Sequence, residues 1–376
     1  MTALADWAGS GAMALTGRPD GPPLVAPGWP ATAAREALSS LGTAIPGVLG
    51  ERAAYAGLTR NGPWSCGGGM RIVPTLDGHL ALSLARPADV GLVPALVERD
   101  VEGSRPDPWQ DVAAWARQVP SMEAAARVEL LGLPGGAVPT APVTGTGVSS
   151  TALGTRTVTD VPVVVDLTSL WAGPLCAHLL SAGGARVVKV ESSRRPDGAR
   201  QGPPDFFDLL HAGHDQLVLD FTDPDHLGRL RDLLAGADLV LEASRPRALR
   251  QLGIDAEEVV RDGTSWLSIT ARGRGSNTIG FGDDVAACAG LVVRDGDDLL
   301  PVGDALADPL AGVSAAAAAA AALDSPEARL IDVSMLHVAA ATVGPVPDHE
   351  TTYDAGSWWV EDEEGRYLVA EPRTRR

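Results

Sequence analysis

The sequence predicts an α/β protein, with a mainly parallel, Rossmann-like sheet domain preceded by a smaller α+β region. Three observations carry this. From Pro162 onward, short β-branched runs alternate with helical stretches at the spacing of βαβ units. Those runs are apolar without alternation, as in strands buried on both faces. Residues 1–145 lack the rhythm and are rich in loops.

In chain order, residues 19–30 are crowded with Pro and Gly and read as irregular. Residues 31–41 read as a helix, and 70–72 and 79–84 as a hairpin around Leu76-Asp77-Gly78. Residues 108–117 and 121–131 read as helices, the second with Ser121 as N-cap, because a hydroxyl there accepts from an orphan N–H. The Gly-, Thr- and Ser-rich stretch 145–159 reads as a linker. Residues 163–167 read as a strand, and Pro162 before it costs no ladder bond. A helix follows to Leu180, with Pro174 in its first turn, and Gly183-Gly184 stop it. Residues 186–190, 217–220, 238–241 and 266–270 read as further strands, and 224–234 as a helix. The expected organisation is a small-domain-like segment at 1–145, a linker at 146–160, the sheet domain at 161–345 and a tail at 346–376. Residues 7–12 and 286–291, each followed by a helix, echo one another as diverged copies of one unit would.

At 376 residues the chain has room for two or three domains, at roughly 150 residues each. Its net charge of −18 counts against nucleic acid and an anionic membrane as partners. Cys66, Cys176 and Cys288 are scattered and odd in number, which fits neither a disulfide framework nor a zinc knuckle and suits a reducing cytoplasm. The alanine run 314–323 is too short and too weakly apolar for a membrane span, and the start of the chain lacks a signal-peptide pattern. The expectation is a cytoplasmic protein without metal or a permanently bound cofactor.

Several residues admit both a structural and a chemical reading. The strand-turn-helix-strand unit ending in Glu191 invites a dinucleotide, but the turn Trp171-Ala172-Gly173-Pro174 carries one glycine where G-x-G-x-x-G needs three. Asp308, just before a helix, reads as an N-cap or as a functional carboxylate. Gly67-Gly68-Gly69 reads as a turn permitting positive φ. Asp283 and Asp284 read as a solvated helix start, with acid/base work as the alternative. Asp304 reads as solvated, Cys288 as core, and His178 and His226 as surface or capping residues.

Residues 163–168, then Ala172-Gly173-Pro174, then 184–191 resemble the opening of the class III CoA-transferases, the CaiB/BaiF family. That family includes formyl-CoA and carnitine CoA-transferases and α-methylacyl-CoA racemases. The resemblance continues in order through 217–220, 242–246, Leu252-Gly253, 268–270, 303–312 and 329–334. Residues 66–70 followed by 77–82 resemble the family's glycine loop and the hairpin after it, which belong to its later half. The family order is therefore permuted here.

The resemblance implies a CoA-transferase acting on an acyl-CoA thioester and a carboxylic acid acceptor through an aspartyl-CoA intermediate. The stretch Gly303 to Gly312 matches the family's G-x-x-x-x-D-x-x-x-G, which makes Asp308 the nucleophile. As the family's glycine loop, Gly67, Gly68 and Gly69 would cover the thioester and offer backbone N–H groups to an oxyanion, if the N-terminal segment reaches Asp308 in the same or a partner chain. Trp171, Ala172, Lys189, Leu219, Arg245, Arg247 and Arg250 are the implied CoA-binding residues. Where the family carries cations before its third strand, this chain has His211 and His214. Phe281 stands where the racemases carry a proton-moving histidine, which disfavours racemisation unless Asp283 or Asp284 substitutes. A homodimer, interlocked in the manner of the family, is the implied assembly. A racemase, or a non-catalytic acyl-CoA-binding pseudoenzyme or partner subunit, is the alternative.

Overall fold

The computed structural model describes residues 2–98, 107–244 and 246–375. The helices Ala3–Gly9, Pro30–Ser40 and Glu51–Ala56 come first. Leu4, Trp7, Ala34 and Leu38 from them enter the core of the main sheet. Strands β1 (Met70–Pro74), β2 (His79–Ser83) and β3 (Gly135–Ala137) then form an antiparallel sheet. The helices Pro108–Ala116 and Ser121–Leu130 cover it, and Val73, Leu80, Leu82, Val112 and Val128 make a separate core. The segment expected as one unit over 1–145 is thus split between two cores. Ala31 and Ala34 give the helix Pro30–Ser40 a small-residue face that fits closely on the alanine-rich helix Ala307–Leu323. Ser121 is not the N-cap expected of it. It is the first helical residue after Pro120, and its N–H donates to the Asp77 carboxylate in the β1–β2 turn at 2.7 Å.

The main sheet uses β4 (Val148–Thr155), β5 (Val163–Asp166), β6 (Arg186–Ser192), β7 (Asp215–Leu219), β8 (Leu239–Glu242) and β9 (Ser265–Thr270). A hairpin of β10 (Val292–Asp295) and β11 (Asp298–Pro301) separates these from β12 (Glu327–Ser334). Among the described residues the sheet has seven strands in the order β4-β12-β9-β8-β5-β6-β7. All its pairings are parallel except β4 on β12. The stretch 146–160, read as a linker, therefore contains an edge strand. Its run of Ser and Thr suits an edge with water on its outer side.

Successive residues of the parallel strands point to opposite faces. Val164, Leu239, Leu241, Leu267 and Ile269 pack with the helices Ala172–Ala182 and Ala307–Leu323. Val165, Val188, Val240 and Trp266 pack with Leu230, Leu234 and Val260 on the other side. Burial on both faces explains why these strands read as unbroken apolar runs. The alanine-rich helix is small-sided for a packing reason. A Cβ at Gly312 would lie 2.7 Å from the Ala172 carbonyl oxygen, so the two helices meet nearly backbone to backbone. The tail forms a meander of β13 (Glu350–Asp354), β14 (Ser357–Asp362) and β15 (Gly365–Leu368), with Val360 and Val369 in the main core. Among the described residues no helix is long and apolar enough to cross a membrane.

The strand order places β5 between β8 and β6. Connections leave β5 in opposite directions, and this opens a crevice at the carboxyl ends of the strands.

Candidate active site

The loop entering the helix Ala307–Leu323 is held from both halves of the molecule. Gly303 donates its N–H to the Thr16 hydroxyl oxygen at 2.9 Å, and its carbonyl accepts from the Cys66 thiol at 3.3 Å. Asp304, expected to be solvated, is 0% exposed and takes a two-pronged ion pair from Arg52, with Nε at 2.9 Å from Oδ2 and Nη2 on Oδ1. Ala305 sits at φ +43°, a left-handed conformation disfavoured for residues with a Cβ, and its N–H donates to Asp283 Oδ1 at 2.8 Å. The bonds on either side hold it there.

Asp308 follows in the first turn, but its side chain is not a helix cap. The N-cap is Leu306, and Asp308 Oδ2 accepts the N–H of Gly282 from another helix at 3.1 Å. A helix start favours a carboxylate by about 0.3–1 kcal/mol, under one decade in the proton equilibrium. Burial outweighs this and, with Asp283 and Asp304 nearby, pushes the Asp308 carboxyl up to about 7.

The helix Gly282–Ala289 supplies the neighbouring carboxyls. Asp283 and Asp284 were expected as a solvated helix start, and the structure corrects this. Asp283 lines the cavity described below, and burial together with Asp304 pushes it up to about 6. Asp284 is 1% exposed, caps Phe281 N–H at 3.0 Å and accepts from the Ser83 hydroxyl at 2.7 Å, so its work is structural. Burial pushes it up to about 7. Their neighbours lie in the N-terminal segment, which no local pattern reveals.

Two cavities meet at Asp308. One, of about 200 Å³, opens at the carboxyl ends of β5, β8 and β9, along Ala172, Gly173, Ser244, Thr270 and Gly280. The other, of about 260 Å³, is lined by Gly67, Gly69, Met70, Trp171, Phe206 and Asp283, with Arg52 on its wall. Leu170, Phe281 and Asp308 border both. The glycine triplet and Asp308 thus reach one cavity within a single chain. Gly68 adopts φ +72° and its N–H closes the turn onto the Ser65 carbonyl at 2.8 Å. Trp171 packs edge-on to Phe206 at 5.6 Å, and the Arg52 guanidinium lies 5.6 Å from its ring centre.

Other expected CoA-binding residues lie elsewhere. Lys189 is 0% exposed, with Nζ 3.0 Å from Asp197 Oδ2, 3.5 Å from Asp166 Oδ2 and bonded to the Thr168 carbonyl. A phosphate has no route to it. Its effect on the crevice is indirect, since Asp197 Oδ1 accepts the N–H of Leu170 at 2.9 Å and holds that residue at φ +72°. Leu219 is fully buried in the core on the far face of the sheet. Arg250 is exposed and faces Asp255 and Glu257. Arg245 and the side chain of Arg247 lie outside the described residues. His211 and His214 are buried with ring nitrogens that have no partner among the described residues, and burial pushes His211 down to about 4. They are neutral packing groups near neutral pH. His178 is half-buried, not surface, with Nε2 2.9 Å from Arg375 Nη1. His226 has the expected capping role, accepting Asp220 N–H at 3.0 Å.

Sequence reasoning missed Arg52 and Gly282. Arg52 is in no motif, and Gly282 is one glycine among 43.

The chain is 27% identical to the succinyl-CoA–D-citramalate CoA-transferase of Chloroflexus aurantiacus over 209 residues, 50% of this chain and 52% of that protein. It is 27% identical to the succinate–glutarate CoA-transferase of Agrobacterium fabrum over 205 residues, 48% of this chain and 51% of that protein. A 35% identity to human alpha-methylacyl-CoA racemase spans 100 residues, 26% of this chain and 24% of that enzyme. The chain thus spans about half the length of the curated CoA-transferases it matches. Among solved structures, a CAIB/BAIF family protein from Brucella suis is 21% identical, with a TM-score of 0.49 over 55% of this chain and 66% of that one. The sequence profile of CoA-transferase family III matches residues 162–357, and the chain belongs to that family.

Proposed function

We propose that this chain transfers coenzyme A between carboxylic acids through a covalent thioester on Asp308. The observation that carries the reading is the position of the Asp308 carboxyl, at the junction of the crevice along the sheet edge and the cavity beneath the glycine triplet. The Asp308 carboxylate attacks the acyl carbon of the thioester, the C–S bond breaks, and the CoA thiolate leaves a mixed anhydride. The thiolate then attacks the aspartyl carbonyl and expels the donor as its carboxylate. An acceptor carboxylate attacks the aspartyl thioester and releases the thiolate again. Thiolate attack on the acceptor's acyl carbon forms the new acyl-CoA and restores Asp308. No net proton is consumed. Burial supports the reading, since a carboxylate attacks better where water is excluded.

In this reading the crevice along Ala172 and Gly173 takes the pantetheine arm. Gly67 and Gly69 face the reacting carbonyl, because the Gly68 N–H is spent in its turn. The expected homodimer belongs to the same proposal. A monomer and a dimer of this chain would both carry Asp308 and the triplet complete in each cavity.

The test is to incubate the protein with an acyl-CoA, trap with borohydride or hydroxylamine, and map the modification by mass spectrometry. Modification at Asp308, lost in Asp308→Ala with turnover reduced at least about 1,000-fold, is the expected result. Binding of CoA with no modification would instead make the chain a binding module. A second reading draws on Asp283, which shares the cavity with a near-neutral titration. Two carboxyls poised near pH 7 suit proton transfer at an acyl α-carbon. Deuterium incorporation there, abolished by Asp283→Asn, would favour a racemase.

A further inference from the structure

We propose that Arg52 is the anchor for the carboxylate that enters and leaves the site, binding it through the edge of the guanidinium that Asp304 does not occupy. The inference rests on the transferase reading for its chemistry, and on the geometry of the cavity for its location. Arg52 lines the same cavity as Asp308 and is 32% exposed there by side chain, while its partner Asp304 is 0% exposed. Asp304 takes Nε and Nη2, and Nη1 has no protein partner among the described residues. A guanidinium presents donors along a second edge that matches a carboxylate.

The surroundings make such an anchor necessary. An incoming carboxylate meets the acid Asp283 on the cavity wall, and in the resting site the Asp308 carboxyl as well, which repel it. Among the described lining residues, Arg52 is the only basic one. It is fixed in place by the Asp304 pair and by stacking near Trp171, so little entropy is lost when it binds. Burial works against its charge, yet Asp304, Asp283 and Asp308 together keep it protonated. Much of the remaining wall is apolar, with Met70, Ala85, Leu170, Phe206 and Phe281 lining it beside the Ser83 side chain. With one cation, two acids and a largely apolar wall around about 260 Å³, the cavity fits a short monocarboxylic acid with an uncharged tail, since a second carboxylate would find no second cation among the described lining residues. In the exchange, Arg52 holds the acceptor oxygen against the aspartyl thioester carbon. The C–O bond forms, the C–S bond breaks, and the thiolate departs.

The experiment compares wild type with Arg52→Lys and with the charge-balanced pair Arg52→Gln/Asp304→Asn. Two readouts are taken with propionate as the probe. One is equilibrium dialysis of radiolabelled propionate. The other is the rate at which propionate, relative to neutral hydroxylamine, discharges the preformed Asp308 thioester. Expected are a dissociation constant raised about 30-fold in the double variant and a propionate-to-hydroxylamine ratio lowered to match. Arg52→Lys, which keeps the charge and loses the fork, falls between. An unchanged dissociation constant and ratio would overturn the anchor. If the double variant does not fold, an unchanged Arg52→Lys overturns it equally. Arg52-dependent binding of propionate without any Asp308 thioester in wild type would sink the transferase reading and leave the anchor standing.

Discussion

The backbone N–H of Gly282 donates to Asp308 Oδ2 at 3.1 Å, and a Cβ at Gly282 would lie 2.3 Å from that same oxygen and 2.2 Å from the Ala305 carbonyl. Only glycine lets the donor approach this closely. Gly282→Ala should therefore displace Asp308 and lower the rate of acyl-CoA labelling by about 100-fold, the usual effect of misplacing a reacting group by an ångström. Measured labelling within a few-fold of wild type would show that the Asp308 position is not set by Gly282.

The Asp308 titration predicts a pH profile. The nucleophile is the carboxylate, so labelling should rise with pH and level off above an apparent value of about 7. Stability should run the other way. Between about 3.8 and about 7 the folded protein holds a proton on Asp308 that the unfolded chain has lost, so stability falls as pH rises through that window. Asp308→Asn removes this penalty while keeping an oxygen for Gly282. It should raise Tm by roughly 2–5 °C at pH 8 and leave it nearly unchanged at pH 4, as calorimetry would read.

Lys189 should matter to folding and not to phosphate binding. Lys189→Met leaves Asp166 and Asp197 buried without their cation, and should cost about 3–5 kcal/mol in denaturant unfolding. Adding Asp197→Asn should recover part of that loss. A direct phosphate contact would instead show as weaker CoA binding at unchanged stability.

The tail reaches the same site from behind. Arg375 pairs with Glu51, which is 1% exposed, with Nη2 2.8 Å from Oε2. Tyr55 donates to the Arg375 carbonyl at 3.2 Å. These contacts fix the short helix that carries Arg52. Arg375→Ala leaves Glu51 buried and unpaired, and should lower stability by about 1–3 kcal/mol. It should also raise the KM for the acceptor acid more than it lowers kcat, a split that steady-state kinetics resolves.

The strands β5 to β9 and the helices after β5 and β7 were legible because each is a local pattern, whereas the short helices Pro204–Leu210, Pro246–Gln251 and Ala256–Arg261 were not read. Unbroken β-branched runs, Pro at an opening and Gly-Gly at a close act on neighbours in the chain. Asp308 could be picked out because the loop around it is a contiguous motif. The alanine-rich helix was visible as a helix, but its place beside Ala172 was not, since the backbone approach at Gly312 is a contact between distant segments. β4 hid inside a polar stretch because an edge strand is defined by the partner it finds.

Residue types and their order along the chain determined the α/β class, and the resemblance of the stretch Gly303 to Gly312 to the family's motif is what made Asp308 the candidate nucleophile. Tertiary structure alone decided that Asp304 is buried against Arg52, that Lys189 is sealed inside the sheet, that Asp283 faces the cavity while Asp284 does not, and that Gly67 and Gly69 reach Asp308 in one chain. The reason is electrostatic as much as geometric. What a charged side chain does depends on how much water remains around it and which opposite charge comes near, and both are fixed by packing that the local sequence pattern does not reveal, as between Arg52 and Asp304.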